Sequence, residues 1–123
     1  MQSKDLRIGN LVGYIDGGIF KVIGIHKYGL DVEDDIETTY MEYEYFEPIN
    51  LNYTILENLG WTERVNDYYY LGEYKIRFDE DVFYFMFFDL GDWEQKIEYV
   101  HELQNLYFAL TGEELELKVE SKP

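Results

Sequence analysis

The chain has no cysteine, which excludes disulfides, thiolate metal ligands and cysteine nucleophiles together. Serine is almost as scarce: only Ser3 and Ser121 occur, one in each tail. Neither His26, in an expected strand, nor His101, in the last expected helix, has a hydroxyl placed for a nucleophile–base pair. Basic residues are few as well, 10 against 26 acids, for a net charge of −16. So little positive charge leaves almost no material for the basic face that nucleic acid or an anionic membrane requires. No direct nucleic-acid contact and no membrane contact are expected. No apolar run approaches the roughly 20 residues of a membrane span. The opening MQSKDLRIGN lacks the apolar centre of a signal peptide, so a cytoplasmic protein is expected. On that reading the Asn52-Tyr53-Thr54 glycosylation triplet carries no meaning.

What the chain does have is apolar material. Its 123 residues are 46% hydrophobic and 19% aromatic, enough for a packed core rather than disorder. Residues 1–49 read as a small β-barrel-like module. Leu11 to Ile15 leads into Asp16-Gly17-Gly18, a tight hairpin turn. Ile19 to Ile25, Leu30 to Glu33, Thr38 to Met41 and Tyr43 to Phe46 follow as short strands, a curled SH3-like sheet that Pro48 ends. Residues 50–123 read as a helix, a meander and a last helix, in one compact unit with the first module. Asn52 is a suitable N-cap, Ile55, Leu56 and Leu59 an apolar stripe, and Gly60 a C-terminal stop. Tyr68 to Leu71, Tyr74 to Phe78 and Val82 to Phe88 form an aromatic antiparallel meander. The last of these, VFYFMFF, is apolar on both faces and predicts burial on both. In IEYVHELQNLYFALTGEEL, Tyr99, Leu103, Leu106 and Leu110 recur at helical spacing, widened by Val100 and Tyr107. That helix is expected to pack on the meander, and LELKV to form an edge strand. The fold class is α+β.

Residues 31–47, DVEDDIETTYMEYEYFE, hold eight carboxylates and no base, and the base-free stretch extends from Tyr28 through Glu63 with ten acids. Alternating Asp31, Glu33 and Asp35 would share a face of a continued strand, and hard cations take several such oxygens. A calcium loop needs a central glycine that this stretch lacks, so no metal is expected. Paired carboxylates also serve hydrolysis, but nothing in the sequence marks one acid for that role. The remaining choice is between solvated edge acids above inward-facing Val32, Ile36, Tyr40 and Phe46, and a face used for docking. Surfaces ordinarily mix signs because crowded like charges destabilise a fold, which favours a used face. The expected contact set is Asp31, Glu33, Asp34, Asp35, Glu37, Glu42 and Glu44, with Tyr40, Tyr43 and Tyr45 as flat contact area.

Other motifs fall short. His101-Glu102 begins like the zinc-protease pattern, but Asn105 stands where the second histidine belongs. A helix histidine making a capping or surface hydrogen bond is the expected reading of His101. Gly13, Gly17 and Gly18 lack the spacing of a phosphate loop. No catalytic residue, metal or cofactor is expected, and the protein is not expected to be an enzyme.

The terminal IEYVHELQNLYFALTGEEL, with an opening like LRIGNLV and a Glu47-Pro48-Ile49 junction before a helix, resembles a family of small proteins from phages and prophages of Bacteroidota. That resemblance implies a phage accessory protein acting in the cytoplasm of a bacterial host. Small, acidic, cysteine-free proteins of that kind are often inhibitors of host defence, including anti-CRISPR proteins. Such an inhibitor would occupy the basic channel of a CRISPR effector nuclease, which is built to hold a polyanion. Two alternatives stand beside this basic host partner. One is a binder that sequesters a signalling nucleotide, stacking its base on the aromatic strands with Lys75, Arg77, Arg64 or Lys96 at the phosphates. The other is a structural or assembly phage protein, with residues 82–88 as a homodimer interface.

Overall fold

A computed structural model describes residues 5–65, 67–87 and 93–117. Over these described residues it is α+β, with two five-stranded antiparallel sheets and two α-helices, and it divides into two compact units, residues 1–50 with 99–114 and residues 51–98 with 115–123.

In the first unit the strands are β1 (Leu11–Tyr14), β2 (Ile19–Ile25), β3 (Gly29–Glu33), β4 (Thr38–Glu42) and β5 (Phe46–Glu47), in the order β4-β3-β2-β1-β5. The expected hairpin turn is present, and Gly17 and Gly18 both take positive φ, at 104° and 102°. The segment Tyr43 to Phe46 differs from the expected strand. Tyr43–Tyr45 is a 3-10 turn, and only Phe46–Glu47 pair, with β1. The turn is fixed by the Tyr43 hydroxyl, which donates to the His26 carbonyl at 2.6 Å, while the Tyr43 ring packs on the core. This strand order, with a 3-10 turn before the last strand, is compatible with an SH3-like barrel. Its core joins Leu6, Val12, Val22, Leu30, Val32 and Phe46. Ile36 and Tyr40 do not belong to it, being 89% and 48% exposed. Strand β3 ends at Glu33 and the chain turns, so the alternation that would have carried Ile36 inward stops; Tyr40 lies opposite Asp31, on the face away from Val32.

The last helix, α2 (Val100–Thr111), was expected with the meander; it belongs instead to this first unit, where it packs on β1. Its buried row is Val100, Leu103, Gln104 and Tyr107, whereas Leu110 is exposed. Periodicity identifies an apolar stripe but not the sheet it covers; here a buried amide decides. The Gln104 side chain accepts from the Leu11 N–H at 2.8 Å and donates to the Gly9 carbonyl at 3.2 Å. Asn10, also fully buried, donates to Asn105 at 2.7 Å and accepts from the Arg7 N–H at 2.7 Å. Arg7 reaches Glu114 and lies 4.2 Å over the Phe108 ring. These side chains take up the Arg7 and Leu11 N–H groups and the Gly9 carbonyl, beside the main-chain bonds that Gly9 and Asn10 make with Val22.

The second unit is a plain meander, β6 (Thr62–Val65), β7 (Tyr68–Leu71), β8 (Tyr74–Asp79), β9 (Val82–Phe87) and β10 (Trp93–Ile97), paired in chain order. Strands β6 and β10 are additions to the three expected. Helix α1 (Tyr53–Asn58) starts as anticipated, with the Ile55 N–H donating to Asn52 Oδ1 at 2.9 Å. Leu56, Leu59, Trp61, Tyr69, Ile76, Phe83, Phe85 and Ile97 are buried. Tyr53 meets Phe78 edge-on at 4.9 Å, and Trp61 meets Phe85 at 6.1 Å. The VFYFMFF segment is therefore buried mainly on one face. Phe83 and Phe85 are enclosed, but Val82, Tyr84 and Met86 are only half-buried. The Arg77 guanidinium lies 4.6 Å over Tyr84 and supplies part of that cover, which explains how an apolar strand keeps an open face. Phe88 lies outside the described residues, as do Lys118 and Val119 of the expected LELKV strand; Leu115–Leu117 form no strand. No described helix is long and apolar enough to cross a membrane.

Candidate interaction surface

The acidic stretch occupies the β3–β4 hairpin and the 3-10 turn after it. In register, Asp31 faces Tyr40, Glu33 faces Thr38 and Gly29 faces Glu42. Directly opposed residues share a face. Asp31, Glu33, Tyr40 and Glu42 thus lie together on the outer side of the sheet, away from Val32 and Leu30. Lys21 sits opposite Glu33 on β2 and is the cation built into this face.

Asp31 is held in place. Its Oδ2 is 2.7 Å from His26 Nε2, and the imidazole meets the Tyr40 ring edge-on at 5.7 Å. Two glycines make room for these side chains. A Cβ at Gly24 would stand 2.8 Å from Asp31 Oδ2, and one at Gly29 would stand 2.7 Å from the Tyr40 hydroxyl and collide with the Met41 carbonyl.

At the hairpin tip, Asp34 Oδ1 accepts from the Ile36 N–H at 2.8 Å and the Glu37 N–H at 2.9 Å. Those donors, Glu37 first, hold its carboxyl below the ordinary carboxylate value. A loop aspartate stabilised as an anion keeps the tip ordered. Asp35 and Glu37 are exposed beside it. Glu44 is exposed at the far end of β4, roughly 17 Å away at strand rise. The 3-10 turn carries Tyr45 across to β1, where the Ile15 N–H donates to its carbonyl at 3.0 Å and its exposed ring is tilted against Tyr14 at 6.5 Å. The acids of residues 31–42 and Tyr40 therefore form a band along the β3–β4 hairpin, Tyr45 lies away from it, and the ten expected contact residues are not a compact cluster. Tyr43 is half-buried and tied to His26, so it supports the band more than it extends its surface. Among the described residues, no three His, Asp or Glu side chains are arranged to hold a metal ion.

The cations named for a nucleotide lie on the second sheet. Lys75, Arg77 and Lys96 share the half-open face with Tyr68, Tyr70 and Tyr84. Arg64 falls on β6, at a shift in strand register. Arg77 is already engaged. Its Nε and Nη2 donate to the two Glu94 oxygens at 2.9 Å each, and Nη1 donates to Asp79 at 3.2 Å. The hydrogen bond from Arg77 holds Glu94 below the usual carboxylate value, and Glu94 in turn pushes Arg77 further up. A phosphate would have to displace both carboxylates.

Sequence reasoning missed two buried polar features. One is the Gln104–Asn10–Asn105 network. The other is His101, which is 6% exposed instead of lying at the surface. Its ring stacks on Tyr99 at 5.8 Å, and its Nδ1 meets no hydrogen-bond partner among the described residues. Burial lowers its pKa. Its only sequence signal is position: residues 100, 103, 104 and 107 form the buried row, and 101 lies beside 104 on the helix.

Compared with known proteins, the chain matches no family model, no curated protein and no solved structure.

Proposed function

We propose that this protein is a non-enzymatic inhibitor that docks its acidic sheet edge on a basic protein groove, in competition with the nucleic acid which that groove normally holds. One observation supports the reading most directly: the carboxylates of residues 31–44 are displayed along the exposed β3–β4 edge, in a sequence stretch without lysine or arginine. A single-sign edge repels itself and weakens the fold, and that disadvantage is offset when the field steers and selects a partner of opposite sign. With the resemblance of its terminal helix to phage and prophage proteins of Bacteroidota, the reading becomes a phage-encoded inhibitor of host defence in the host cytoplasm. An anti-CRISPR acting on an RNA-guided nuclease is its most concrete form. The test is charge reversal at the hairpin tip. Asp34→Lys, Asp35→Lys and Glu37→Lys together should abolish binding to the basic partner while the circular dichroism spectrum stays that of the parent. Unchanged binding by the triple variant would sink the proposal.

A further inference from the structure

We infer that β4 is a strand-addition site: an extended, lysine- or arginine-rich segment of the partner pairs with Thr38–Glu42 and continues the sheet. This rests on the acidic-edge reading above and adds the mode of recognition to it.

The direction of the free backbone groups follows from the ladder. The Tyr43 N–H donates to the Tyr28 carbonyl at one end of the hairpin, and the Asp34 N–H to the Glu37 carbonyl at the other. Between them the five β3–β4 pairs run without a register shift. Hydrogen-bonded pairs alternate with non-bonded ones in an antiparallel ladder. Leu30–Met41 and Val32–Thr39 therefore carry the bonds, and the N–H and C=O groups of Thr38, Tyr40 and Glu42 point away from β3. Strand β4 ends the sheet order. The Glu42 carbonyl opens the 3-10 turn and is taken up there; among the described residues no main-chain bond outside the helices and strands reaches the Thr38 and Tyr40 groups or the Glu42 N–H on that outer side.

Proteins blunt such edges with proline, lysine, a bulge or extreme shortness. Strand β4 has none of these: it is five residues of Thr-Thr-Tyr-Met-Glu, most of them good strand formers. The other edges differ. Strand β5 is two residues long, β6 carries a register shift, and β10 mixes Glu94 with Lys96.

Charge selects the occupant. A second copy paired on β4 would bring Glu42 and the flanking Asp35, Glu37 and Glu44 of two chains of net charge −16 together, and opposed like charges destabilise a sheet. A basic strand reverses the sign of those contacts. Its alternate side chains would lie beside Tyr40 and Glu42 on the outer face, where a cation meets both a ring and a carboxylate. The intervening ones would lie beside Thr39 and Met41, where apolar residues fit.

The test uses a seven-residue peptide alternating lysine and valine, and the same peptide with every backbone amide N-methylated. Charge and side chains are kept in the second, but it cannot donate to a strand edge. The plain peptide should bind and slow amide hydrogen exchange at Tyr40 and Glu42 at least about tenfold. The methylated peptide should bind at least about tenfold more weakly, which is 1.4 kcal/mol. Equal affinity of the two peptides, or binding without protection of those amides, would overturn the strand-addition inference and leave the charge-based reading standing. Failure of both peptides to bind would also overturn it. The charge-reversal variant with the natural partner judges the broader reading separately.

Discussion

Asp31 Oδ2 stands 2.7 Å from His26 Nε2, directly above the bare backbone of Gly24. The contact joins the end of β2 to β3 across the outer face of the sheet and places the first acid of the band. It exists because residue 24 has no side chain.

Gly29 should be the least replaceable residue of the hairpin. A Cβ there meets the Met41 carbonyl and the Tyr40 hydroxyl, and the carbonyl belongs to the β3–β4 ladder. Gly29→Ala should destabilise the protein by about 1–3 kcal/mol, read as a fall in the urea midpoint. Gly24→Ala meets only the flexible Asp31 carboxylate and should do less, while breaking the Asp31–His26 contact. Equal effects would contradict this ranking.

Gln104→Leu keeps the volume of the side chain but leaves the Leu11 N–H and the Gly9 carbonyl without that partner. A loss of about 1–3 kcal/mol is expected, together with faster amide exchange at Leu11. A neutral substitution would mean that water replaces the amide without loss.

His101 gives the fold a pH dependence. Its folded pKa lies below the ordinary imidazole value, first through burial, with Glu102 and Asp5 opposing that shift. The unfolded chain therefore binds the proton more readily. This contribution to stability is fully present above about pH 6.5 and is lost as pH falls through the lowered folded value. His101→Phe should flatten the stability profile between about pH 6.5 and pH 5. An unchanged slope in urea titrations at the two pH values would refute the assignment.

Arg77 and Glu94 form a two-pronged ion pair on the second sheet, each side chain one quarter exposed. Solvent screening discounts such a pair, so a double-mutant cycle with Arg77→Met and Glu94→Gln should return a coupling of about 1 kcal/mol, weakened by salt. Glu94 titrates below its ordinary value, so its share of stability is present above that value and lost as pH falls through the lowered one. Glu94→Gln should remove that acid-limb contribution.

Much of the architecture was legible in local chemistry. Gly17-Gly18 marked the first hairpin, Asn52 the start of α1, and the aromatic runs from Tyr68, Tyr74 and Val82 three strands of the meander, though not that the last of them buries mainly one face. The position of α2 was not legible, because an apolar stripe does not name its partner and the deciding group, Gln104, is polar. Strands β6 and β10 were missed because Thr-Glu-Arg-Val and Trp-Glu-Gln-Lys-Ile are largely polar and draw their pairing from neighbours. The acid band was visible as composition. That its members share an outer face depends on Asp31 facing Tyr40 and Glu33 facing Thr38, a matter of register that composition does not carry.

On the proposed function, the acidic edge binds a basic, nucleic-acid-binding protein. Paired affinity capture tests it, from a nuclease-treated lysate of the bacterial host named in the proposal, with the parent protein and the Asp34→Lys, Asp35→Lys, Glu37→Lys variant side by side. The parent should retain an RNA-guided nuclease or a similarly basic protein in stoichiometric amount, and the folded variant should retain none. Equal recovery by both proteins, or recovery of nothing but the bait, would contradict it.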